Sequence, residues 1–129
     1  MSIEVSLRKK KFFRSFNPAQ QQIIQKAERA LELHFSKEYI SYLTKYGYLI
    51  YDSHELTGIC KAKRLNIVDV TLEERTCNPM IPMDWYVVEQ ANIDGIVIWQ
   101  NAKGEIFQTM PNATPMKLCN SLAEYIERY

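Results

Sequence analysis

The sequence predicts an α+β fold: a single domain with a mainly antiparallel sheet, an N-terminal helix pair, a short middle helix and a C-terminal helix. Three observations carry this expectation. Residues 27–48, AERALELHFSKEYISYLTKYGY, hold the end of one helix, a break, a second helix and a glycine exit. Further on, three short β-prone runs are separated by turn-forming clusters, the pattern of a meander. At the C-terminus, apolar side chains recur at helical spacing behind a serine cap. Helices, strands, short helix, strands and helix follow in an order unlike regular strand–helix alternation, so a parallel sheet is not expected.

Each element has a local cause. Asn17-Pro18-Ala19-Gln20 reads as a helix start: asparagine can cap, proline needs no N–H at the first helical position, and Gln20 can reach back to the cap. The first helix is predicted over residues 18–34, with Ile23, Ile24, Ala27, Ala30 and Leu31 on its apolar stripe. Ser36 then caps a second helix over 37–46, which turns Tyr39, Ile40, Leu43 and Tyr46 inward. Gly47 supplies the exit, and the bulky Tyr48-Leu49-Ile50-Tyr51 run is β-prone. A turn at Asp52-Ser53-His54 and a short strand or irregular segment over 56–59 follow. Thr71-Leu72-Glu73-Glu74 has the capping-box pattern and predicts a short helix to Cys77, stopped by Asn78-Pro79. Strands are predicted over 85–88, 96–99 and 106–108. Ile96-Val97-Ile98-Trp99 is apolar at every position, so it should lie centrally, covered on one side by the helices and partly covered on the other. Ser121-Leu122-Ala123-Glu124 is a second capping box, opening a helix with Leu122, Tyr125, Ile126 and Tyr129 on one face.

Size and charge bound the function. A chain of 129 residues suits one core, and no apolar run approaches the roughly 20 residues that span a bilayer. Met1-Ser2-Ile3-Glu4-Val5 lacks the layout of a secretory signal, so a cytoplasmic protein is expected. Cys60, Cys77 and Cys119 are an odd number with no CxxC pair, and His34 and His54 share no ligand spacing with them. Neither disulfides nor a metal site follows. Net charge is +1, yet Arg8, Lys9, Lys10, Lys11 and Arg14 leave Glu4 as the one acid in the first fourteen residues. The remainder has eleven basic and fourteen acidic residues, a net of −3. Residues 1–16 are therefore expected as a basic arm, with a helical turn through Phe12, Phe13 and Phe16, and residues 17–129 as the domain.

The order of landmarks from Ile23 to Arg128 resembles the SUKH superfamily, which contains bacterial toxin-immunity proteins and a fungal cell-wall-synthesis regulator family. The landmarks are Ala27-Glu28-Arg29-Ala30-Leu31, Glu38-Tyr39-Ile40-Ser41-Tyr42-Leu43, Tyr46-Gly47 and Val70-Thr71-Leu72-Glu73-Glu74-Arg75. They continue with Ile81-Pro82 before Trp85-Tyr86-Val87-Val88-Glu89, Asp94-Gly95, Lys103-Gly104-Glu105-Ile106 and the Ser121 box. Ser36 stands where the family often has proline, and Gly47-Tyr48 where it often has a glycine pair. The basic arm has no counterpart.

For chemistry, no local signature joins a nucleophile, a base and an orienting group, so an enzyme is not expected. Four isolated glycines make no phosphate cradle, and no cofactor is implied. Glu73-Glu74 suits the first turn of a helix. The resemblance implies an immunity protein that binds and neutralises a cognate polymorphic toxin, a nuclease being the expected target. Tyr51, Asp52, Glu55 and Asp94 are the candidate partner-binding residues, because aromatic anchors among carboxylates suit a basic protein surface. The alternative is a regulatory or scaffold domain that binds a host protein. Less favoured is a nucleic-acid-associated protein using the basic arm, which is more simply a solvated tail; no membrane partner is expected.

Overall fold

In the computed structural model, which describes residues 2–129, five helices and seven strands follow one another. They are α1 (Ile3–Arg8), β1 (Phe13–Phe16), α2 (Gln21–Leu31), α3 (Lys37–Tyr46), β2 (Tyr48–Tyr51), β3 (His54–Glu55), α4 (Ile67–Cys77), β4 (Tyr86–Gln90), β5 (Val97–Gln100), β6 (Ile106–Thr109), β7 (Met116–Cys119) and α5 (Leu122–Arg128). The class is the expected α+β, and every strand pairing between these elements is antiparallel. The sheet comes in two parts, β1-β2-β3 and β4-β5-β6-β7. An isolated Leu56–Glu89 bridge and a Thr57 N–H donated to Val88 O join them edge to edge. Residues 56–59, expected as a short strand or irregular segment, form this seam.

Residues 3–16 are built into the body, not extended as an arm. Ile3 and Leu7, four apart on α1, are both buried, and Ser6 donates its hydroxyl to Ala123 O at 2.7 Å, which docks α1 on α5. Phe13 to Phe16 pair with β2, Phe13 opposite Tyr51 and Phe16 opposite Tyr48.

Helix ends follow their caps. Ser36 accepts from Tyr39 N–H and Ser121 from Glu124 N–H, so α3 and α5 begin where the serines predict. Asn17 has φ 53°, caps nothing, and α2 begins three residues after Pro18, at Gln21. Glu32 closes α2 in the left-handed conformation, and Glu28 accepts from Phe35 N–H at 2.8 Å across the break to α3. Asn66 is the cap of α4, accepting from Val68 and Asp69 N–H. Thr71, expected as a cap, is buried inside that helix, and its Oγ1 accepts from Val87 N–H at 3.1 Å.

β5 lies between β4 and β6 and all four of its residues are buried, as its double-faced apolarity requires. Ile98 joins the main core beneath α2, α3 and α5, while Val97 and Trp99 face a second cluster with Val70 of α4, Trp85 and Val87. Trp99 donates Nε1–H to Thr109 Oγ1 at 2.9 Å, and Trp85 stacks on Phe107 with centroids 4.1 Å apart.

Two glycines sit where three chain segments cross. Gly47 bridges Phe16, and its carbonyl accepts from Ile59 N–H. A Cβ on Gly47, at φ 73°, would lie 2.0 Å from Phe16 O, and one on Gly58 would lie 1.9 Å from Gly47 O. Both obstacles are backbone. Gly47→Ala and Gly58→Ala should each destabilise the protein by about 2–3 kcal/mol or more, read by urea unfolding. Gly104→Ala, whose Cβ would meet nothing nearer than 3.6 Å, should cost only the smaller penalty of its positive φ.

Candidate functional site

Strand direction gathers the turns. β2 runs into the turn at residues 52–53, β4 into 91–96 and β6 into 110–115, and antiparallel pairing puts all three at the same end of the sheet. Asp52, Asn92, Asp94 and Asn112 take positive φ there, which Asn and Asp tolerate better than other residues with a Cβ. Gly95 packs so closely on Pro111 that a Cβ would lie 2.8 Å from its ring, locking the second turn to the third.

Asp52 and Asp94 therefore share this end and are exposed. Glu55 is half-buried and grips Arg64 with both oxygens, at 3.0 and 2.9 Å, so its charge is already partnered. Tyr51 is fully buried and its hydroxyl has no hydrogen-bond partner. It is a core aromatic, not a surface anchor. The burial alternation of β2, with Leu49 and Tyr51 inward, carries that signal. Tyr42, Tyr86 and Trp85 are likewise buried, so the exposed apolar groups at this end are of another kind.

Beneath the hairpin lies a cluster that the sequence reading missed. His54 Nδ1 meets both oxygens of the buried Glu89 at 3.1 and 2.9 Å, and Tyr125 donates its hydroxyl to Glu89 Oε1. The Tyr51 ring stacks on His54, and Lys10 Nζ lies over the far side of this group, 5.4 Å from the Tyr51 centroid. The hydrogen bond to Glu89 raises the His54 pKa, more than burial lowers it. Burial, reinforced by Glu89, pushes the Tyr125 phenol far up, so it stays a neutral donor. The cluster ties β3, β4 and α5 together. Glu89 directly after the apolar run Trp85-Tyr86-Val87-Val88 is the sequence signal that marks it.

A shallow hollow of about 680 Å³, open to solvent, lies beside the third turn, between residues 77–81, at the end of α4, and residues 109–115. A second hollow of about 340 Å³ shares Cys77, Asn78 and Pro111 with it and adds Glu74, Gln90 and Gly95. Together they form one groove. Among the described residues no group of three His, Cys, Asp or Glu side chains is placed to hold a metal ion, and no helix is long and apolar enough to cross a membrane.

An α+β body with a mixed sheet-end surface of hairpins defines a class of small domains. Within it, this chain matches the family model SUKH_5, described as SMI1-KNR4 cell-wall, over residues 3–129, and it belongs to that family. The match begins at α1, so it includes the segment that the resemblance left out. No curated protein matches the chain.

Two measurements test the cluster. Tyr51→Phe removes a buried hydroxyl without a partner and should leave stability unchanged or raise it by about 1 kcal/mol, whereas Tyr125→Phe breaks a bond to a buried carboxylate and should cost about 1.5–3 kcal/mol. Because the His54 pKa is raised above its ordinary 6.5, its contribution is complete below that value and is lost as pH rises through the higher folded-state value. Urea unfolding from about pH 6 to about pH 9 should show wild type losing stability relative to His54→Asn as pH increases.

Proposed function

We propose that the chain is an immunity protein that binds a cognate polymorphic toxin, a nuclease in the first instance, and blocks its active site or an adjoining surface. It acts by contact, without a reaction of its own, in the cytoplasm. The single observation that carries this reading is family membership over residues 3–129. Physically, the end of the sheet supports it. Its turns are braced by the packing of Gly95 on Pro111 and by the cluster under Tyr51, so little chain ordering is needed on association. Asp52 and Asp94 project there and can steer a basic partner. A regulatory domain acting on a host protein is the second reading, favoured by the words "cell-wall" in the family description.

Co-expression with the toxin encoded beside this gene tests the proposal. Wild type should restore growth and co-purify with the toxin. The triple change Asp52→Ala, Glu55→Ala, Asp94→Ala should weaken binding by about tenfold, as loss of rim charges does. Undiminished protection would remove those three residues from the interface. Capture of a host protein from native extract, with no protection against the toxin, would favour the regulatory reading.

A further inference from the structure

The groove end of the sheet carries apolar surface and charge that nothing in the chain itself offsets. Every methionine the structure describes is exposed: Met80 at 94 %, Met83 at 58 %, Met116 at 52 % and Met110 at 37 %. All four lie on, or within two residues of, the two walls of the groove. Ile93, 61 % exposed, adds to it from the β4–β5 turn. Small monomeric proteins seldom gather exposed apolar groups this way, and methionine is the side chain best able to adapt to a second surface. Pro79, Pro111 and Pro115 make the walls stiff.

The charge is one-sided. Glu74 lines the groove, held only by the neutral amides of Gln90 and Asn78. Glu73 precedes it on α4, and Asp94 adjoins Gly95 in the wall. Among the described residues none of these three acids is in an ion pair, while seven of the other twelve are. No lysine or arginine lines either hollow. Arg75, the nearest cation in sequence, lines neither hollow and donates to Leu31 O and Met83 O. An apolar trough bordered by unpaired carboxylates is complementary to an extended segment that alternates apolar and cationic side chains.

We propose that this groove is the docking site for such a segment of the toxin, with an apolar side chain seated between Met80 and Met110 and lysine or arginine side chains meeting Glu73, Glu74 and Asp94. The inference rests on the immunity reading and deepens it by naming the face and the chemistry of the partner. A protein that acts on a polyanion carries the cations that this surface lacks.

The test uses the full chain and the toxin encoded beside it, inactivated at its own active site, with binding followed by biolayer interferometry at low and high salt. Met80→Asp combined with Met110→Asp should weaken binding at least tenfold. Glu73→Lys with Asp94→Asn should slow association by about tenfold and flatten its salt dependence, while Lys26→Glu on the exposed face of α2 should change neither. Met80 is almost wholly exposed, so Met80→Asp alone, with an unchanged melting temperature, separates lost contact from lost fold. If wild type binds and the folded groove variants bind equally well, the docking site is overturned and the immunity reading stands. If wild type does not bind the toxin, both fall. Self-association of wild type that Met80→Asp abolishes would assign the groove to a second copy, through its basic Phe12–Phe13 edge, and would also overturn the proposal.

Discussion

The two sheets meet edge to edge at Thr57, and the buried hydrogen bonds made there fix where the rest of the structure can lie. Thr57 donates its N–H to Val88 O and its hydroxyl to Val87 O, at 2.9 and 2.7 Å. Its hydroxyl proton is thereby used, so Tyr39 is the donor in the 3.0 Å contact between the two hydroxyls. Tyr42 donates to the Thr57 carbonyl and accepts from Leu49 N–H. Burial raises both phenols far above their ordinary range, so they remain donors under all working conditions. Each bond left unmade in this dry seam would cost about 1–3 kcal/mol, more than a typical made bond contributes. Tyr39 and Tyr42, three apart, thus set the rotation of α3. That rotation points Glu38 at the start of α5, where it accepts from Leu122 and Ala123 N–H and from Gln100 Nε2–H. With α5 placed, Tyr125 reaches Glu89, and Glu89 holds His54 under the hairpin.

How much of this is legible in the sequence depends on whether the signal is local. α3 is read to the residue because its serine cap, apolar stripe and glycine exit lie within twelve residues. β5 is legible because four consecutive apolar residues have no polar face to present. The Thr71 box misleads because a buried helix interior can also use a threonine, here to satisfy Val87 N–H, and Asn66 one turn earlier is the better cap. α1 is hidden by its neighbours: the cationic run from Arg8 dominates composition, although Ile3 and Leu7 alone decide the packing. β7 is short and lies next to Pro115, and its inclusion depends on pairing with β6. Nothing local announces it.

The candidate site divides along the same line. Asp52 and Asp94 can be picked from sequence as turn acids, since each lies in a turn-forming cluster, and both take the positive φ of turn residues. Their sharing of one end follows only from the order β2-β3 and β4-β5, joined at Leu56. The Met80 and Met110 walls are thirty residues apart and invisible as a unit. They become one groove because β6 delivers Met110 to the end at which α4 terminates.

Rigid packing below that end is what permits so much apolar surface above it. Val97, Trp99 and Val70 close the second core cluster directly beneath the strands that lead to the groove. Their burial secures the fold without help from Met80, Met83 or Met116. Those side chains are thus free of any folding duty, and their exposure is set by something else. Charge follows the same division: the acids that brace the body, Glu89 and Glu38, are bound by His54, Tyr125 or backbone N–H groups, whereas those bordering the groove have no cation. Rim carboxylates left unpaired keep their potential, and there an oppositely charged macromolecule meets least competition from the protein's own side chains.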